Sequence, residues 1–542
     1  MKTVTINILK IIQGEIMFLF YNLKKILLFI TIFLNFFFLT TACSKNKDKK
    51  NSDNILNTKI ESGYIEVSKG NNLFYYLVKS KKEKAPLIIH FSGGPGASSM
   101  APAFNSYGPF LINEPFSHDL DYKLKINPYS WNQFSNVVFL EQTRYVGYSY
   151  GTGSYVTSLN TSGKEFISWI IEFYKKYPEF QSRPLYLSGE SAGGEFIAQF
   201  SHQIIEYNKL NKDNKIPLTG LFAQSAVIGN ADETPATSKL FFLCNEGFLS
   251  KESCTIDKAG SVKNIMNDCI QKISKKQGIP IEKVKIKDIS NEVDSEKGDL
   301  KKVCSQYENE IKFHALKTKK FIVPNDPIYP IELRNQLIHM PILSFIFTAN
   351  SQISKHFNYS PNPYNMKKNC QQSNFFPPWC YDGYKLSHFF NDPEIKNWIG
   401  NGKIPKNLEW KFASFPINLV LSSFDEEYRN TDLYYSEALK NNIKVFIVNA
   451  KNDYDVNYVS AQAIVSKISL NAFGKDIFNS FPASSNEFEK QYVISNDKKQ
   501  EVAEFKTFKN LMFIQINNSG HMVGFDQPES VFQITKNILG VK

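Results

Sequence analysis

The sequence predicts an α/β fold in which a mostly parallel sheet is covered by helices on both faces. Two observations support this prediction. Short apolar runs with the length of buried strands recur along the chain, and segments with helical periodicity lie between or after them. Strands that alternate with helices favour a parallel sheet, whose strands are apolar throughout because helices bury both of its faces.

The predicted strands share a length of a few residues and an almost uninterrupted apolar character. They are residues 86–91, 137–140, 184–187, 220–222 with 227–228, 445–448 and 511–516. The stretches with helical periodicity are residues 165–174, 195–207 and 459–468. Strands and helices thus alternate in both halves of the chain.

The strand pattern stops between residues 231 and 390. This interval is rich in Lys and Asn, and it contains the proline-rich stretch 323–330. We therefore predict a cap insertion at 231–390 that divides the core into a first part, 58–230, and a second part, 391–542.

Length and composition agree with this organisation. A chain of 542 residues corresponds to two domains, or to one large domain with an insertion, since domains usually have roughly 100 to 200 residues. Hydrophobic residues make up 42% and aromatic residues 14%, which is enough apolar surface for a large core. A disordered chain, a collagen and a coiled coil are excluded as the main state.

The formal net charge of +11 raises the question of nucleic-acid binding. About half of this excess lies in residues 1–59, and the remaining sequence has no concentrated basic stripe of the kind that phosphate binding favours. We therefore predict no nucleic-acid partner.

The N-terminal residues have the order of a secretory signal. Two lysines at 24–25 precede the apolar run 26–39, which ends in small residues at 40–42 before Cys43 and a polar stretch. This order resembles a bacterial lipoprotein signal, although Thr40 occupies a position where that signal usually has Leu. Met17 is an alternative start, because residues 17–43 alone make a complete leader.

Residues 1–42 are accordingly predicted to be a signal peptide, Cys43 the lipidated residue, and 43–57 a polar tether. An uncleaved membrane helix is the alternative, since residues 26–44 have about the ~20 residues that a span needs. Either interpretation predicts an exported chain, anchored to a membrane on the periplasmic side or the cell surface.

Six further cysteines lie between residues 244 and 380. An even number of cysteines in an exported chain predicts disulfides, here three, of which Cys370–Cys380 is the expected local pair. A metal site is the alternative, but no C-x-x-C or paired His spacing supports it, and we predict neither a metal nor a cofactor. The six residues are Cys244, Cys254, Cys269, Cys304, Cys370 and Cys380.

A nucleophile motif follows the strand predicted at 184–187. Residues 189–193 read G-E-S-A-G and lead directly into a predicted helix, which is the context that a G-x-S-x-G nucleophile elbow requires. A bare G-x-S-x-G also occurs by chance as a small-residue turn. The strand before it and the helix after it favour Ser191 as a catalytic nucleophile.

A serine nucleophile needs a base that an acid orients, in the chain order Ser, Asp or Glu, His. His521 is the only His after the insertion, and it follows the strand predicted at 511–516. Asp453 and Asp455 both follow the strand predicted at 445–448, and spacing alone does not decide between them. The alternative roles are a turn carboxylate and a helix cap.

An oxyanion hole would complete this chemistry with two backbone N–H groups. Ala192, directly after the nucleophile, supplies one. The other is expected from Gly94 in the turn 92–96, which follows the strand predicted at 86–91. A phosphate-binding glycine turn is the alternative, but the G-x-x-x-x-G-K-[ST] continuation is missing.

These segments together resemble the serine carboxypeptidase family, peptidase family S10, from about residue 58 to the end apart from the insertion. The resemblance implies an α/β-hydrolase fold, selects Asp453 over Asp455, and implies a peptide substrate that loses its C-terminal residues through Ser191, Asp453 and His521. The matching segments are 62–64, 73–76, 93–96, 98–99, 108–110, 127–132, 146–150, 189–191, 229–230, 453 and 520–523.

The substrate-binding positions depart from the family pattern. The family holds the substrate carboxylate with an Asn before the glycine turn, a Glu downstream and the Glu before the nucleophile; here these are Ser92, Ser106 and Glu190. Without the second carboxyl, we expect the pKa of Glu190 to be lower than in relatives. The preference for a free C-terminus is then weakened, or it is supplied by other groups such as Ser92, Asn105 or His90, the last in place of a Trp.

Three functions remain open at this point. The first is a serine carboxypeptidase that acts through an acyl-enzyme. The second, favoured by the altered carboxylate set, is an esterase or acyltransferase with the same triad. The third is a non-catalytic surface lipoprotein on a hydrolase fold. It is the least favoured, because an inactive protein has no physical reason to keep the nucleophile, base, acid and oxyanion turn together.

Overall fold

The computed structural model describes the two predicted parts of the core and segments of the predicted insertion. The predicted signal peptide, Cys43 and the tether lie outside the described residues, as do Asn230 and four of the six remaining cysteines. Among the helices of the described ranges, none combines the length and apolarity needed to cross a membrane. The described ranges are 60–117, 120–229, 238–246, 262–280, 283–285, 288, 314–315, 347–348, 361–362, 364–369, 381, 383–424, 430–495 and 498–541.

A ten-stranded sheet forms the centre of the compact unit that comprises Ile60–Tyr122 and Ile126–Lys542. The strands of this sheet are β1 (Glu61–Ser68), β2 (Asn71–Val78), β3 (Leu87–Phe91), β6 (Asn136–Leu140), β7 (Leu185–Glu190), β8 (Leu218–Gln224), β13 (Lys444–Ala450), β14 (Glu489–Ser495), β15 (Lys498–Phe508) and β16 (Leu511–Ile516). Their order in the sheet is β1-β2-β6-β3-β7-β8-β13-β16-β15-β14.

The six strands from β6 to β16 pair in parallel, and two antiparallel strands complete the sheet at each edge. The mostly parallel α/β sheet that the sequence predicts is therefore confirmed. The carboxyl ends of parallel strands lie along one edge of the sheet, which is where open α/β folds bind their ligands.

The remaining elements are helices and short strands. The described helices are α1 (Met100–Asn105), α2 (Leu159–Lys176), α3 (Gly193–Leu210), α4 (Ser238–Asn245), α5 (Val262–Gln277), α6 (Tyr384–Asn391), α7 (Pro393–Gly400), α8 (Phe415–Phe424), α9 (Asp432–Lys440), α10 (Tyr458–Phe473), α11 (Val523–Asp526) and α12 (Pro528–Ile538). The short strands are β4 (Phe110–Ile112), β5 (Leu124–Ile126), β9 (His314–Ala315), β10 (Phe347–Thr348), β11 (Pro361–Asn362) and β12 (Asn365–Asn369).

Side chains cover both faces of the sheet. Because successive residues of a strand point to opposite faces, the last two residues of β3 report on the two layers. Phe91 packs against Phe166 and Phe200 of the helices α2 and α3. His90 packs against Tyr107 and Trp131 on the other face. This two-sided burial explains why the central strands are apolar along their whole length.

One predicted strand segment is wrong. Residues 227–228 do not join the sheet, because the chain leaves β8 at Ser225, which has a positive φ of 40°. Its N–H still donates to the carbonyl of Val448, but the N–H of Val227 donates to the carbonyl of Ser191 instead of to a neighbouring strand. These apolar residues therefore support the turn that carries Ser191.

The antiparallel strands β14 and β15 were not predicted. Each begins with a run of polar residues, EKQ in β14 and KKQE in β15, and Lys490 forms an ion pair with Glu501. A search for uninterrupted apolar runs misses such strands, since an antiparallel edge hairpin can expose one face to solvent and carry polar residues.

The described part of the predicted insertion contributes no strand to the large sheet. It contains α4 and α5, and Cys244 and Cys269 on these helices are each disulfide-bonded. Cys254, Cys304, Cys370 and Cys380 lie outside the described residues. The three-disulfide framework and the boundaries at 231 and 390 therefore stay predictions.

Candidate active site

Ser191 occupies a sharp turn between β7 and α3. Its φ is +56°, which strains a non-glycine residue, and its backbone is held on both sides. The N–H of Ser191 donates to the carbonyl of Gln224 at 3.1 Å, and its carbonyl accepts from Val227 at 3.0 Å. This is the strand, turn and helix geometry of a nucleophile elbow.

The glycines on either side of Ser191 are required by close backbone contacts. A Cβ on Gly189 would lie 2.3 Å from the carbonyl oxygen of Gly193, and one on Gly193 would lie 2.5 Å from that of Phe91. Any side chain at either position would push the elbow away from the helix or from the neighbouring strand.

His521 and Asp453 meet at the carboxyl ends of two neighbouring strands. β13 and β16 pair in parallel, so the loops that follow them lie side by side. His521 Nδ1 is 2.7 Å from Asp453 Oδ2, and the other carboxylate oxygen accepts the N–H of Val456 at 3.1 Å. The structure therefore brings the predicted base against Asp453, and Asp453 is the aspartate that bonds to the imidazole.

The charges around His521 favour its protonated form. Burial lowers the pKa of the imidazole, but the carboxylate of Asp453 outweighs this effect, and Asp455 and Glu190 add to it. The net result is a pKa raised above the ordinary value of a histidine. With Nδ1 bonded to a carboxylate, Nε2 is the ring nitrogen that can accept a proton from a substrate or a nucleophile.

The glycine turn at 92–96 packs directly on the elbow. A Cβ on Gly93 would lie 2.5 Å from Ser191 Cβ and 2.7 Å from the backbone nitrogen of Ala192. Gly94 adopts a φ of +105°, and its carbonyl accepts a hydrogen bond from Asn418 Nδ2 at 2.7 Å. The two backbone segments predicted to supply the oxyanion hole are thus in contact.

Glu141, which was not predicted from the sequence, anchors the far end of this turn. Its buried carboxylate accepts from the Ser98 hydroxyl at 2.7 Å and from the N–H of Ser99 at 3.0 Å. Burial raises the pKa of Glu141 to about 7, and these hydrogen bonds oppose the rise. Its position directly after the apolar strand β6 was the available signal in the sequence.

Glu190, next to the nucleophile, is buried and bonded to a tyrosine. Tyr107 Oη lies 3.2 Å from Glu190 Oε2. Burial raises the pKa of Glu190 to about 7; the charge of His521 and the Tyr107 hydroxyl lower it, and Asp526 adds a smaller rise. Our expectation of a pKa lower than in relatives stays a prediction, while relative to an ordinary glutamate the pKa is raised.

The other predicted substrate-binding residues are also buried. Ser106 Oγ donates to Asn105 Oδ1 at 2.6 Å, and Asn105 Nδ2 has no hydrogen-bond partner among the described residues. The N–H of Ser92 donates to Ser99 Oγ. His90 lies in the core beneath the site, bonded through Nδ1 to Ser188 Oγ at 3.1 Å, and burial lowers its pKa to about 3.

A segment of the predicted insertion, residues 364–369, packs on the His521 loop. The N–H of His521 donates to the carbonyl of Tyr364, and the two rings pack with centroids 4.9 Å apart. A Cβ on Gly520 would lie 2.4 Å from the same carbonyl. Segment 364–369 therefore lies within the candidate site, which sequence spacing does not indicate.

Asp526 joins segment 364–369 to the His521 loop. Its buried carboxylate accepts hydrogen bonds from the N–H of Gly520 at 2.7 Å and from Asn365 Nδ2 at 2.8 Å. Lys368 and Tyr381 also donate to it, at 2.6 and 3.0 Å. Asp526 was not predicted, because these partners lie between 6 and 161 residues away from it in the sequence.

Among the described residues, one group of side chains lies close enough together to hold a metal ion, namely His202, Glu206 and Glu437. His202 Nδ1 pairs with Glu437 Oε2 at 2.7 Å, and Lys209 pairs with Glu206.

A family model described as serine carboxypeptidase matches residues 50–540 of this chain. The match therefore covers both parts of the core and the interval between them. This is the family whose motifs the sequence resembles.

Curated relatives span most of the chain at low identity. Carboxypeptidase Y homolog A of Phaeosphaeria nodorum is 24% identical over 492 residues, which are 88% of this chain and 73% of the relative. Serine carboxypeptidase 3 of Oryza sativa subsp. japonica is 24% identical over 469 residues, 86% of this chain and 75% of the relative.

A solved structure has the same fold. The crystal structure of Kex1(delta)p, a prohormone-processing carboxypeptidase from Saccharomyces cerevisiae, superposes with a TM-score of 0.60 at 19% identity. It covers 89% of this chain and 91% of its own. The α/β-hydrolase fold is thereby confirmed.

Proposed function

The chain belongs to the serine carboxypeptidase family and is an enzyme of the carboxypeptidase type, and from this premise we propose that it removes C-terminal residues from peptides through an acyl-enzyme on Ser191. The observation that carries the proposal is the 2.7 Å hydrogen bond between His521 and Asp453, in a chain that presents Ser191 on a strained elbow.

The reaction needs two acyl transfers. Ser191 Oγ attacks the last peptide carbonyl carbon while His521 Nε2 takes the hydroxyl proton. The C–N bond then breaks, and His521 gives this proton to the departing amino group. A water molecule next attacks the ester, His521 removes its proton, and the C–O bond to Ser191 breaks as the serine regains a proton. Asp453 keeps the imidazole oriented throughout.

The oxyanion that forms in each transfer requires two N–H donors. We assign them to Gly94 and Ala192, because the glycine turn packs against the backbone of the elbow. Preorganised backbone donors stabilise the developing charge without reorganising during the reaction. Asn418 and Glu141 support this role by fixing the two ends of the turn.

Recognition of the substrate's terminal carboxylate is assigned to Glu190 and Asn105. A carboxylic acid can donate to a carboxylate, and burial raises the pKa of Glu190 to about 7, so that a protonated form is present at neutral and mildly acidic pH. Asn105 Nδ2 supplies a second buried donor without a partner in the described structure. Ser92 and His90 have a supporting role beneath these groups.

An esterase or acyltransferase is the second candidate. The observation that favours it is the replacement of the family's second carboxyl by Ser106, whose hydroxyl is already used by Asn105. Such an enzyme would use the same Ser191, His521 and Asp453 but would not require a free carboxylate in its substrate.

Mass spectrometry of peptide digests distinguishes the two candidates. The full-length protein is incubated with one peptide as the free acid and as the C-terminal amide between pH 4 and 8, with Ser191→Ala as the blank. We expect stepwise loss of C-terminal residues from the acid at a rate far above that from the amide. Hydrolysis of a simple ester through Ser191 without any loss of residues would contradict the carboxypeptidase proposal and favour the second candidate.

We also propose that the chain is exported and held on a membrane by a lipid on Cys43, with disulfides in residues 244–380. The order of lysines, apolar run and small residues before Cys43 supports the anchor, and the even number of remaining cysteines supports the disulfides. Metabolic labelling with a radioactive fatty acid tests the anchor. Label that persists in Cys43→Ala would contradict it.

A further inference from the structure

Tyr107 lies between Glu190 and the core of the molecule. Its buried ring stacks on Trp131 with centroids 4.1 Å apart, which fixes the ring plane. Its hydroxyl lies 3.2 Å from Glu190 Oε2 and 3.0 Å from Gln224 Oε1. Gln224 in turn donates through Nε2 to Ser188 Oγ at 2.9 Å. Glu190 is therefore the end of a buried chain of side chains.

A glycine in the His521 loop makes room for this tyrosine. A Cβ on Gly524 would lie 2.1 Å from a Tyr107 ring carbon and 2.6 Å from its hydroxyl oxygen. The backbone N–H of Gly524 also bonds to that hydroxyl. Any other residue at position 524 would displace the Tyr107 hydroxyl from Glu190.

The tyrosine hydroxyl can serve both protonation states of Glu190. It carries one proton, so it donates to an ionised Glu190 or, when Glu190 is protonated, accepts from it and donates to Gln224. A second carboxyl could form a similar pair only by adding its own titration and its own negative charge. Tyr107 adds neither, since a phenol stays neutral across the working pH range.

We infer that Tyr107 is the positioning residue that orients Glu190 toward the terminal carboxylate of a peptide substrate, in place of the second carboxyl that Ser106 lacks. With Oε2 engaged by Tyr107, Oε1 is the oxygen left to meet the substrate. The inference rests on the proposed carboxypeptidase function and deepens it, because it names the group that sets preference for a free C-terminus.

The charges that face Glu190 set the direction of the pH dependence. They are His521 on the adjacent loop and Asp526 on α11, together with the neutral hydroxyl of Tyr107. Binding of a carboxylate requires protonated Glu190, so activity on a free-acid peptide falls as pH rises through its pKa. The Tyr107 hydroxyl lowers this pKa, and its removal should move the fall to higher pH.

The test compares Tyr107→Phe with Tyr174→Phe in the full-length protein. Tyr174 is a matched control, since it is also buried and its hydroxyl has no partner among the described residues. We measure kcat/KM from pH 5 to 9 on a peptide as the free acid and as the amide. At pH 5, where Glu190 is mostly protonated in both proteins, we expect the acid-to-amide ratio of Tyr107→Phe to be about tenfold lower than that of the wild type, the effect of one lost hydrogen bond, mainly through KM.

Two results would overturn the inference. One is an unchanged acid-to-amide ratio in Tyr107→Phe, and the other is a fall in activity at the same pH as in the wild type. General damage to the fold would lower kcat/KM on the acid and on the amide by the same factor, and it would leave the pH profile unchanged. Tyr174→Phe should leave both the ratio and the profile as they are.

A second measurement does not depend on peptidase activity. Thermal unfolding of Tyr107→Phe, Glu190→Gln and the double variant, at pH 5 and pH 8, gives the coupling between the two side chains. We expect a coupling that is larger at pH 8, where Glu190 is ionised. Additive effects at both pH values would overturn the inference, whereas coupling in a protein without peptidase activity would count against the proposed function alone.

Discussion

We assign two groups of side chains to the proposed site, one to hydrolysis and one to substrate recognition, and they are built in different ways. The hydrolytic side comprises Ser191, His521, Asp453 and the glycine turn at 92–96. The recognition side comprises Glu190 with Asn105 at the end of α1 and with Ser106 and Tyr107, which follow this helix. On the hydrolytic side each group follows a strand of the parallel sheet. Backbone packing holds the glycine turn against the elbow, where a Cβ on Gly93 would lie 2.5 Å from Ser191 Cβ and 2.6 Å from the carbonyl oxygen of Glu190.

On the recognition side the contacts run between side chains. Glu190 bonds to Tyr107, and Ser106 bonds to Asn105, through atoms that one substitution can remove or replace. A contact made by the backbone persists when side chains change, whereas a contact between side chains is lost with either partner. This difference explains how the chain keeps the family's order of nucleophile, acid and base while its carboxylate set departs from the family pattern.

The largest expected effect is the difference in kcat between substitutions of the two aspartates near His521, Asp453 and Asp455. Asp453→Asn should lower kcat by about 10⁴, because an amide cannot hold the tautomer and charge of His521. Asp455→Asn is the matched control, since Asp455 acts on His521 through charge alone, and should lower kcat less than about tenfold. Ester hydrolysis, which needs no carboxylate recognition, measures both. Equal losses in the two variants would contradict the assignment of Asp453.

A smaller effect is expected from the contact between the glycine turn and the elbow. Gly93→Ala places a methyl group 2.5 Å from Ser191 Cβ and 2.7 Å from the nitrogen of Ala192, so the turn must move away from the oxyanion position. We expect kcat to fall by about 10² on acid, amide and ester alike. Gly153→Ala is the control, since its nearest neighbour is 3.9 Å away. A Gly93→Ala enzyme with normal ester turnover would exclude this role of the turn.

The contrast between the hydrolytic side and the recognition side also explains which features could be predicted from the sequence. Uninterrupted apolar strands and the turns at their ends are local signals, so the parallel sheet, the elbow at Ser191 and the loop of His521 could be placed from spacing. The choice between Asp453 and Asp455 came from the family resemblance, and the structure makes Asp453 the partner of His521.

The features that were missed depend on contacts between distant parts of the chain. Glu190 and Tyr107 are 83 residues apart, and Asn365 and Asp526 are 161 apart, with no pattern in the sequence that connects them. The available signal for Tyr107 was its position next to Ser106, where the family has a carboxyl. The edge strands β14 and β15 were missed for a different reason, since each begins with several polar residues and has no long apolar run.

The smallest expected effect tests whether the insertion influences the recognition side through Asp526. The charge of Asp526 raises the pKa of Glu190, so Asp526→Asn should lower that pKa. Activity on a free-acid peptide should then decline at a lower pH than in the wild type, with a loss at pH 7 of about three- to tenfold. Amide and ester turnover should show no such shift. Tyr107→Phe should shift this decline to higher pH and Asp526→Asn to lower pH, so the two variants test the titration of Glu190 in opposite directions.

Asp432→Asn is the control for Asp526→Asn. Both aspartates are buried, and each pairs with a partly exposed lysine, Asp526 with Lys368 at 2.6 Å and Asp432 with Lys467 at 2.8 Å. The two substitutions thus remove the same kind of ion pair, but only Asp526 faces Glu190. A shift of the pH profile in both variants would mean that loss of a buried charge, and not the link between segment 364–369 and the His521 loop, sets the titration of Glu190.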